Sequence, residues 1–508
     1  MKPILSPAES AALDRETQAR GITASSLMDN AGRAMARAAA TATGGLYGRR
    51  AVAVCGKGNN GGDGLVAARY LAQFGMHATA VLLEDADTLR EPAAGHFQRL
   101  RGSGVVVRRG PSLARELARA DVVIDAIFGT GFRGIPENEH AAAIEALNAT
   151  SAPVVAVDIP SGVNGETGAV EGDAVWATVT VTFGAPKPGL VLHPGAARAG
   201  IVEVAPIGFP ADLIRSDLLL VELEDVAALV PRRRVDDHKR SSGVVLVIGG
   251  SRAMTGAVRL MAGAAYRAGA GLVTAAVPEG ILPVVQTGVT EATFLPLPQT
   301  GDGTVAEAAV EALSERLPGF DAVAIGPGLT AQAETASFVR ALVRGCPVPV
   351  VVDADALNAY QGRASELADR RADAVLTPHA GEFARLASMS AREVGQDRVG
   401  HARKLAGETG AIVAMKGNPM LVASPGGQVR VNTTGGPELA TAGSGDVLTG
   451  MTAAMLARGL GPADAATVAA YLHGLAGSLA GTELGEGTTA GDVLARIPEA
   501  VARVTESV

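Results

Sequence analysis

Short runs of Val, Ile and Ala recur along the first half of the chain, at 51–55, 78–83, 121–127, 153–158 and 179–183, each followed by a glycine turn and an Ala/Leu/Arg-rich stretch. Runs that are apolar at every position predict strands buried on both faces. The stretches between them predict helices, so the pattern is that of a parallel sheet covered on both sides. The rhythm blurs at Ile207-Gly208-Phe209-Pro210 and restarts at Gly243-Val244-Val245-Leu246-Val247-Ile248. Further strands fit 272–277, 321–325, 348–353, 373–376 and 411–415, again with helical stretches between them. The expected fold class is α/β in both halves, with a boundary near 215–225 that divides the chain into domains 1–218 and 219–508.

A length of 508 residues is too much for one ordinary core and agrees with two domains. An apolar content of 47% allows large cores, and 64 glycines without collagen periodicity point to many tight turns. The net charge of −8 excludes a general basic surface for nucleic acid or anionic lipid, and an aromatic content of 3% argues against base-stacking platforms. The start, Met1-Lys2-Pro3-Ile4-Leu5-Ser6, has no apolar signal core, and no run reaches the roughly 18 apolar residues that span a bilayer. A soluble, cytoplasmic protein with no nucleic-acid or membrane partner is therefore expected. With only Cys55 and Cys346, neither a disulfide framework nor a thiolate metal cage is available. Lysine is scarce among the 44 basic residues, and Lys57, Lys187, Lys239 and Lys416 all adjoin glycine- or proline-marked turns.

Candidate chemistry lies in two glycine-rich loops, Gly56-Lys57-Gly58-Asn59-Asn60-Gly61-Gly62-Asp63-Gly64 and Ala440-Thr441-Ala442-Gly443-Ser444-Gly445-Asp446-Val447-Leu448. Each brings a carboxylate to the start of an expected helix, where free N–H groups and the helix dipole favour negative charge. The first loop also fits a dinucleotide fingerprint, with Glu84 or Asp85 at about the right distance, roughly 20 residues on. Asp63 argues against plain coenzyme binding, because its charge would repel a diphosphate at the helix start. Strand ends in a parallel sheet converge on one crevice, which brings in Asp125, the Gly129-Thr130-Gly131-Phe132-Arg133-Gly134-Ile135 loop, and Asp158-Ile159-Pro160-Ser161-Gly162. Asn60, Asp125 and Ser161 would offer only hard oxygen ligands, suited to an alkali or alkaline-earth cation.

Met28-Asp29-Asn30-Ala31-Gly32-Arg33, the Asn59–Gly64 loop, Asp158-Ile159-Pro160-Ser161-Gly162-Val163 and Thr182-Phe183-Gly184-Ala185-Pro186-Lys187-Pro188-Gly189 together resemble the NAD(P)H-hydrate epimerase family, over about residues 8–210. The resemblance implies a Rossmann-like three-layer domain that interconverts the R and S hydrates of damaged NADH and NADPH. By position, Asn59, Asn60, Gly61, Gly62, Asp63, Gly129, Thr130, Gly131, Phe132, Arg133, Gly134, Ile135 and Asp158 would hold the substrate. Asn60, Asp125 and Ser161 would bind potassium. Epimerising a carbon that bears a hydroxyl beside a ring nitrogen needs proton transfer from a carboxylate within hydrogen-bond reach, and Asp158 is the candidate.

The second loop resembles the anion hole of ribokinase-like enzymes. Further blocks stand at Lys239-Arg240-Ser241-Ser242-Gly243, Gly249-Gly250-Ser251, Thr255-Gly256-Ala257, Gly326-Pro327-Gly328-Leu329, Asp353-Ala354-Asp355-Ala356-Leu357, Thr377-Pro378-His379-Ala380-Gly381-Glu382 and Lys416-Gly417. Together they resemble the ADP- or ATP-dependent NAD(P)H-hydrate dehydratase, over about residues 225–500. That resemblance implies a ribokinase-like α/β domain. Ala257, Gly328, His379 and Asp446 would contact the hydrate, and Lys416, Gly417, Asn418, Pro419, Met420 and Gly445 the adenine nucleotide. Asp446 would deprotonate the hydroxyl, while Mg²⁺ would bridge nucleotide oxygens without a side-chain ligand that can be named. Met420 and Gly436 depart from the family pattern. Taken together, the resemblances imply a bifunctional repair enzyme for the hydrated nucleotides NADHX and NADPHX, using K⁺, Mg²⁺ and ADP or ATP, and a homo-oligomer of tetrameric or higher order. A vitamin-precursor kinase of ribokinase type fused to a nucleotide-binding domain, and a sensor that binds without turnover, are the competing readings.

Overall fold

The computed structural model describes residues 1–506. The chain divides into two compact units, Lys2–Asp217 and Leu218–Val508, the latter also taking Met1.

The first unit is a seven-stranded parallel sheet of β1 (Arg50–Cys55), β2 (His77–Leu82), β3 (Val106–Arg109), β4 (Val122–Ala126), β5 (Val154–Val157), β6 (Val179–Phe183) and β7 (Ile201–Ala205). Their spatial order is β3-β2-β1-β4-β5-β6-β7. The order reverses between β1 and β4, and the carboxyl ends of those strands flank the crevice where ligands of such sheets bind. Every residue of β4 is buried, including Asp125. Helix α1 (Pro7–Ala19) starts at a capping box in which Ser6 N–H donates to Glu9 Oε2 at 2.7 Å and Glu9 N–H to Ser6 Oγ at 3.1 Å. Helices α2 (Ala24–Ala42) and α3 (Asn59–Gln73) pack closely because Gly32 faces Val66, where a Cβ would meet Val66 Cβ at 2.4 Å.

The second unit carries β8 (Leu218–Leu220), β9 (Val244–Ile248), β10 (Leu272–Pro278), β11 (Thr293–Leu297), β12 (Ala322–Ile325), β13 (Val350–Val352), β14 (Ala374–Leu376), β15 (Ile412–Met415), β16 (Met420–Ala423) and β17 (Val429–Asn432). They lie in the order β8-β17-β16-β15-β14-β13-β12-β9-β10-β11, with β16 antiparallel to both of its neighbours and the other pairs parallel. The reversal between β9 and β12 brings two glycine turns together, and Gly250 N–H donates to Pro327 O at 2.9 Å. Helices α4 (Thr255–Arg267), α5 (Ala380–Leu386), α6 (Ser444–Ala457), α7 (Pro462–Leu484) and α8 (Ala490–Glu506) cover the sheet. Nearly every residue of α6 is buried, so this helix is apolar all round rather than striped. Burial of each Leu, Val or Met there contributes about 1.5–3 kcal/mol. Gly450 lets α6 touch the backbone of α4, since a Cβ would stand 2.1 Å from Met261 O. Among the described residues no helix is long and apolar enough to cross a membrane.

Candidate active sites

A cavity of about 600 Å³ opens at the carboxyl ends of the first sheet, lined among others by Asp14, Asn59, Asn60, Asp63, Gly129, Thr130, Gly131, Phe132, Asp158 and Lys187. Gly61 and Gly62 serve packing instead. A Cβ on Gly61 would stand 1.8 Å from Gly56 O, and one on Gly62 2.6 Å from the Met28 methyl. Arg133, Gly134 and Ile135 lie outside the lining, with the Arg133 guanidinium folded back onto Thr130 O at 2.9 Å and Phe132 O at 2.7 Å.

Asp158 follows β5 in a left-handed conformation, φ 62°, at the centre of a three-residue turn closed by Ile159 N–H donating to Val157 O at 2.7 Å. Such a conformation costs a non-glycine residue on the order of 1–3 kcal/mol and persists where surrounding contacts enforce it. Those contacts converge on one oxygen. Oδ1 of Asp158 accepts from Lys187 Nζ at 2.7 Å, Thr182 Oγ1 at 2.9 Å and Phe183 N at 3.2 Å. Oδ2 is thereby left for the cavity. Lys187 is one of the largest wholly buried side chains, and its ammonium also donates to Thr182 Oγ1 at 2.9 Å, Phe183 O at 2.8 Å and Ala185 O at 3.1 Å. Asp14 and Asp63 share the cavity. Burial raises the pKa of each, and the charge of Asp158 adds to both shifts.

Below the cavity, Asp125 is wholly buried. Its carboxylate accepts from Ser161 N at 2.8 Å, Ser161 Oγ at 2.5 Å and Ile127 N at 3.3 Å, and among the described residues no cationic side chain lies upon it. Burial pushes its pKa up to about 6. The amide of Asn60 donates to Phe128 O at 2.8 Å and Val157 O at 3.1 Å, which gathers carbonyl, carboxylate and hydroxyl oxygens around the end of β4. A buried negative charge without a counter-cation, amid hard oxygens, fits an alkali cation.

In the second unit α6 begins at Gly443, φ 87°, which a side chain would resist. The N–H groups of Gly445 and Asp446 fall in the first turn and have no intrahelical acceptor. Burial, then the charge of Asp353, raises the pKa of Asp446 to about 7. Asp353, at the end of β13, accepts from Lys416 Nζ at 2.5 Å on one oxygen and from Thr449 Oγ1 at 2.6 Å on the other. Gly445 lies against this pair, since a Cβ there would stand 2.9 Å from Lys416 Nζ. Burial pulls the Lys416 pKa down, but Asp353 and Glu382 outweigh it and the net shift is upward.

His379 caps α5. Its Nδ1 accepts from Gly381 N at 3.0 Å and Glu382 N at 3.4 Å, which leaves the proton on Nε2, 3.3 Å from Glu382 Oε1. Burial lowers its pKa. Gly328, φ 76°, lies at the β9/β12 reversal beside Met254, and Ala257 in the first turn of α4. The Lys416–Met420 turn is clamped by Arg398, which donates to Lys416 O at 3.4 Å, Asn418 O at 3.3 Å and Pro419 O at 2.8 Å. The Met420 side chain is buried in the core, so only its backbone borders the turn. Buried His473 lies 3.0 Å from both Ser444 Oγ and Ser444 O at the cradle.

A family profile described as NAD(P)H-hydrate dehydratase matches residues 245–499, and one described as YjeF-related protein N-terminus matches residues 24–189. The bifunctional NAD(P)H-hydrate repair enzyme of Moorella thermoacetica is 42% identical over 493 residues, covering 95% of this chain and 93% of that protein. The chain belongs to the bifunctional NAD(P)H-hydrate repair enzyme family. A family member from Thermofilum pendens is 40% identical over 97% of this chain and 95% of its own length. The crystal structure of an ADP/ATP-dependent NAD(P)H-hydrate dehydratase from Bacillus subtilis, co-crystallised with ATP/Mg²⁺, superposes with a TM-score of 0.50 at 29% identity, over 57% of this chain and all of that one. A Streptococcus mutans protein with a TM-score of 0.50 at 22% identity shares the fold of the second half. The repair family thus accounts for both units, a Rossmann-like epimerase fold followed by a ribokinase-like dehydratase fold.

Asp14, Lys187, Asp353 and Glu382 were not singled out from the sequence as site residues. The turn-adjacent lysines were the available signal for Lys187 and Lys416, each of which proves to be buried against an Asp. Asp14, on a helix without a glycine motif, gave none.

Proposed function

We propose that the two units complete one repair cycle for hydrated NADH and NADPH. The first interconverts the R and S hydrates, and the second dehydrates the S form at the expense of ADP or ATP. The observation that carries this reading is that each unit presents a carboxylate at a cavity or cradle, Asp158 with one oxygen held by Lys187 and Asp446 with a pKa of about 7.

In the first unit, Oδ2 of Asp158 exchanges a proton with the hydrate, while Asn59, Asn60, Gly129 to Phe132 and Asp63 enclose the ring. Asn60, Asp125 and Ser161 would hold potassium, which would offset the buried charge of Asp125 and stiffen the loop after β4. In the second unit, Asp446 takes the proton of the hydrate's hydroxyl as that oxygen attacks the terminal phosphoryl group. The Gly445 and Asp446 amides offset charge on that group. Phosphate then leaves where hydroxide could not, expelled by the ring nitrogen's lone pair, and dihydronicotinamide is restored. The Lys416–Met420 turn and Gly445 border the nucleotide, and Ala257, Gly328 and His379 the hydrate. Mg²⁺, when bound, supplies charge neutralisation on the nucleotide oxygens. A cytoplasmic homo-oligomer completes the proposal, supported by exposed Ile201 and Val204 on edge strand β7.

Product analysis tests the reading against a small-molecule kinase. Incubation of the S hydrate with ATP is expected to release inorganic phosphate together with dihydronicotinamide absorbance. A stable phosphoester would overturn it.

A further inference from the structure

The cavity of the first unit holds more acid than a single carboxylate catalyst needs. Asp63, in the second turn of α3, is more than nine-tenths buried with its carboxyl in the cavity wall. Burial and the charges of Asp158 and Asp14 act on that carboxyl, and among the described residues no hydrogen bond does. The buried ammonium of Lys187 in the cavity is already committed to Asp158, Thr182, Phe183 and Ala185. An unpaired carboxyl buried beside two others holds its proton more tightly than an ordinary one, whereas Asp158 has the Lys187 ammonium upon it. Carboxyls of one site whose environments differ in this way divide into a proton donor and a proton acceptor. The two stand on separate elements, Asp63 after β1 and Asp158 after β5, with β4 between them. Both line the same cavity of about 600 Å³, room for a ring held between them.

We propose that Asp63 is the proton donor of the epimerase reaction and works opposite Asp158; this rests on the epimerase reading above. Asp63 gives its proton to the hydroxyl on the carbon beside the ring nitrogen. The carbon–oxygen bond breaks with its electron pair going to oxygen, and the nitrogen lone pair forms the carbon–nitrogen double bond. Water departs, leaving a cationic imine among the carboxylates of Asp14, Asp63 and Asp158. A water on the other face then bonds to that carbon, the imine π pair returns to nitrogen, and Asp158 Oδ2 accepts the proton that the water loses. The net change is one proton moved from Asp63 to Asp158, which solvent exchange restores.

The test follows interconversion of the R hydrate of NADPH by chromatography, without ADP or ATP, so that the second unit stays silent. Asp63→Asn is expected to lower kcat by about 10²–10⁴-fold. Hydrate affinity, measured by calorimetry, should move by less than about threefold. The wild-type kcat should fall on the basic side as Asp63 ionises, and that limb should vanish in Asp63→Asn. A merely structural Asp63 would shift affinity or melting temperature and leave the basic limb in place. If Asp63→Asn does not fold, the wild-type profile decides, and a kcat without a basic limb overturns the proposal. An Asp63→Asn enzyme with undiminished kcat overturns it too. Wild-type protein that does not exceed the uncatalysed rate overturns the epimerase reading itself.

Discussion

Lys187 donates to Oδ1 of Asp158 across 2.7 Å while its own side chain is almost wholly buried. Three donors on one oxygen aim the other at the cavity, so these contacts fix the direction of the candidate base.

Asp158→Asn is therefore expected to abolish hydrate interconversion while the first unit still folds, because the amide keeps the shape and an acceptor for Lys187. Lys187→Met should also suppress interconversion. It should in addition destabilise the first unit by about 3–5 kcal/mol, the cost of stranding a buried charge. Epimer chromatography and thermal melting read the two effects separately. A melting temperature unchanged in Lys187→Met would show that the pair carries no structural weight.

For the second unit, the Asp446 pKa of about 7 sets the sign of a pH effect. Below that pH the carboxyl is protonated and cannot accept the hydroxyl proton; above it the base form dominates. The kcat/KM for dehydration should accordingly rise with pH through a midpoint near 7. Asp446→Asn should lose about 10³-fold or more in dehydration with nucleotide affinity nearly intact. Equilibrium dialysis with labelled ATP, beside the rate assay, checks both, and weakened binding with retained turnover would contradict the assignment.

Asp125 makes potassium binding measurable without any assay of turnover. K⁺ should raise the melting temperature of the first unit more than Na⁺ does, and the increment should shrink as pH falls below about 6, where Asp125 takes up a proton. Asp125→Asn should remove the K⁺ increment. An equal response in the variant would refute a cation at this position.

His473 supplies a stability test. Burial lowers its pKa to about 4 from the ordinary 6.5, so the unfolded chain binds more protons between those values. Stability of the second unit should be fully present above pH 6.5 and decline as pH falls to about 4, by roughly 3 kcal/mol in all. Denaturant titrations at several pH values, with His473→Gln as the control that flattens the curve, decide it.

Strands buried on both faces, such as β5, β9 and β12, were legible because burial on both sides leaves an unbroken apolar run. Strand β3, exposed throughout, and edge strand β7 carry no such run and were missed. Also missed were β8, β11 and the β16–β17 pair. Asp158 and Asp446 were legible because glycine-marked turns flag strand and helix ends. The ion pairs around them were not, because Lys187–Asp158 spans 29 positions and Lys416–Asp353 spans 63, contacts that exist only once the sheets assemble. Gly61 illustrates a motif residue whose identity answers to Gly56 O of its own backbone rather than to a ligand.

The most direct measurement supplies a mixed R/S hydrate preparation with ATP and K⁺ and follows recovery of dihydronicotinamide absorbance. Wild-type protein should recover all of it, Asp158→Asn should stop with the R form unconsumed beyond its spontaneous conversion, and Asp446→Asn should recover none. Full recovery at the wild-type rate by either variant would contradict the division of labour between the two units.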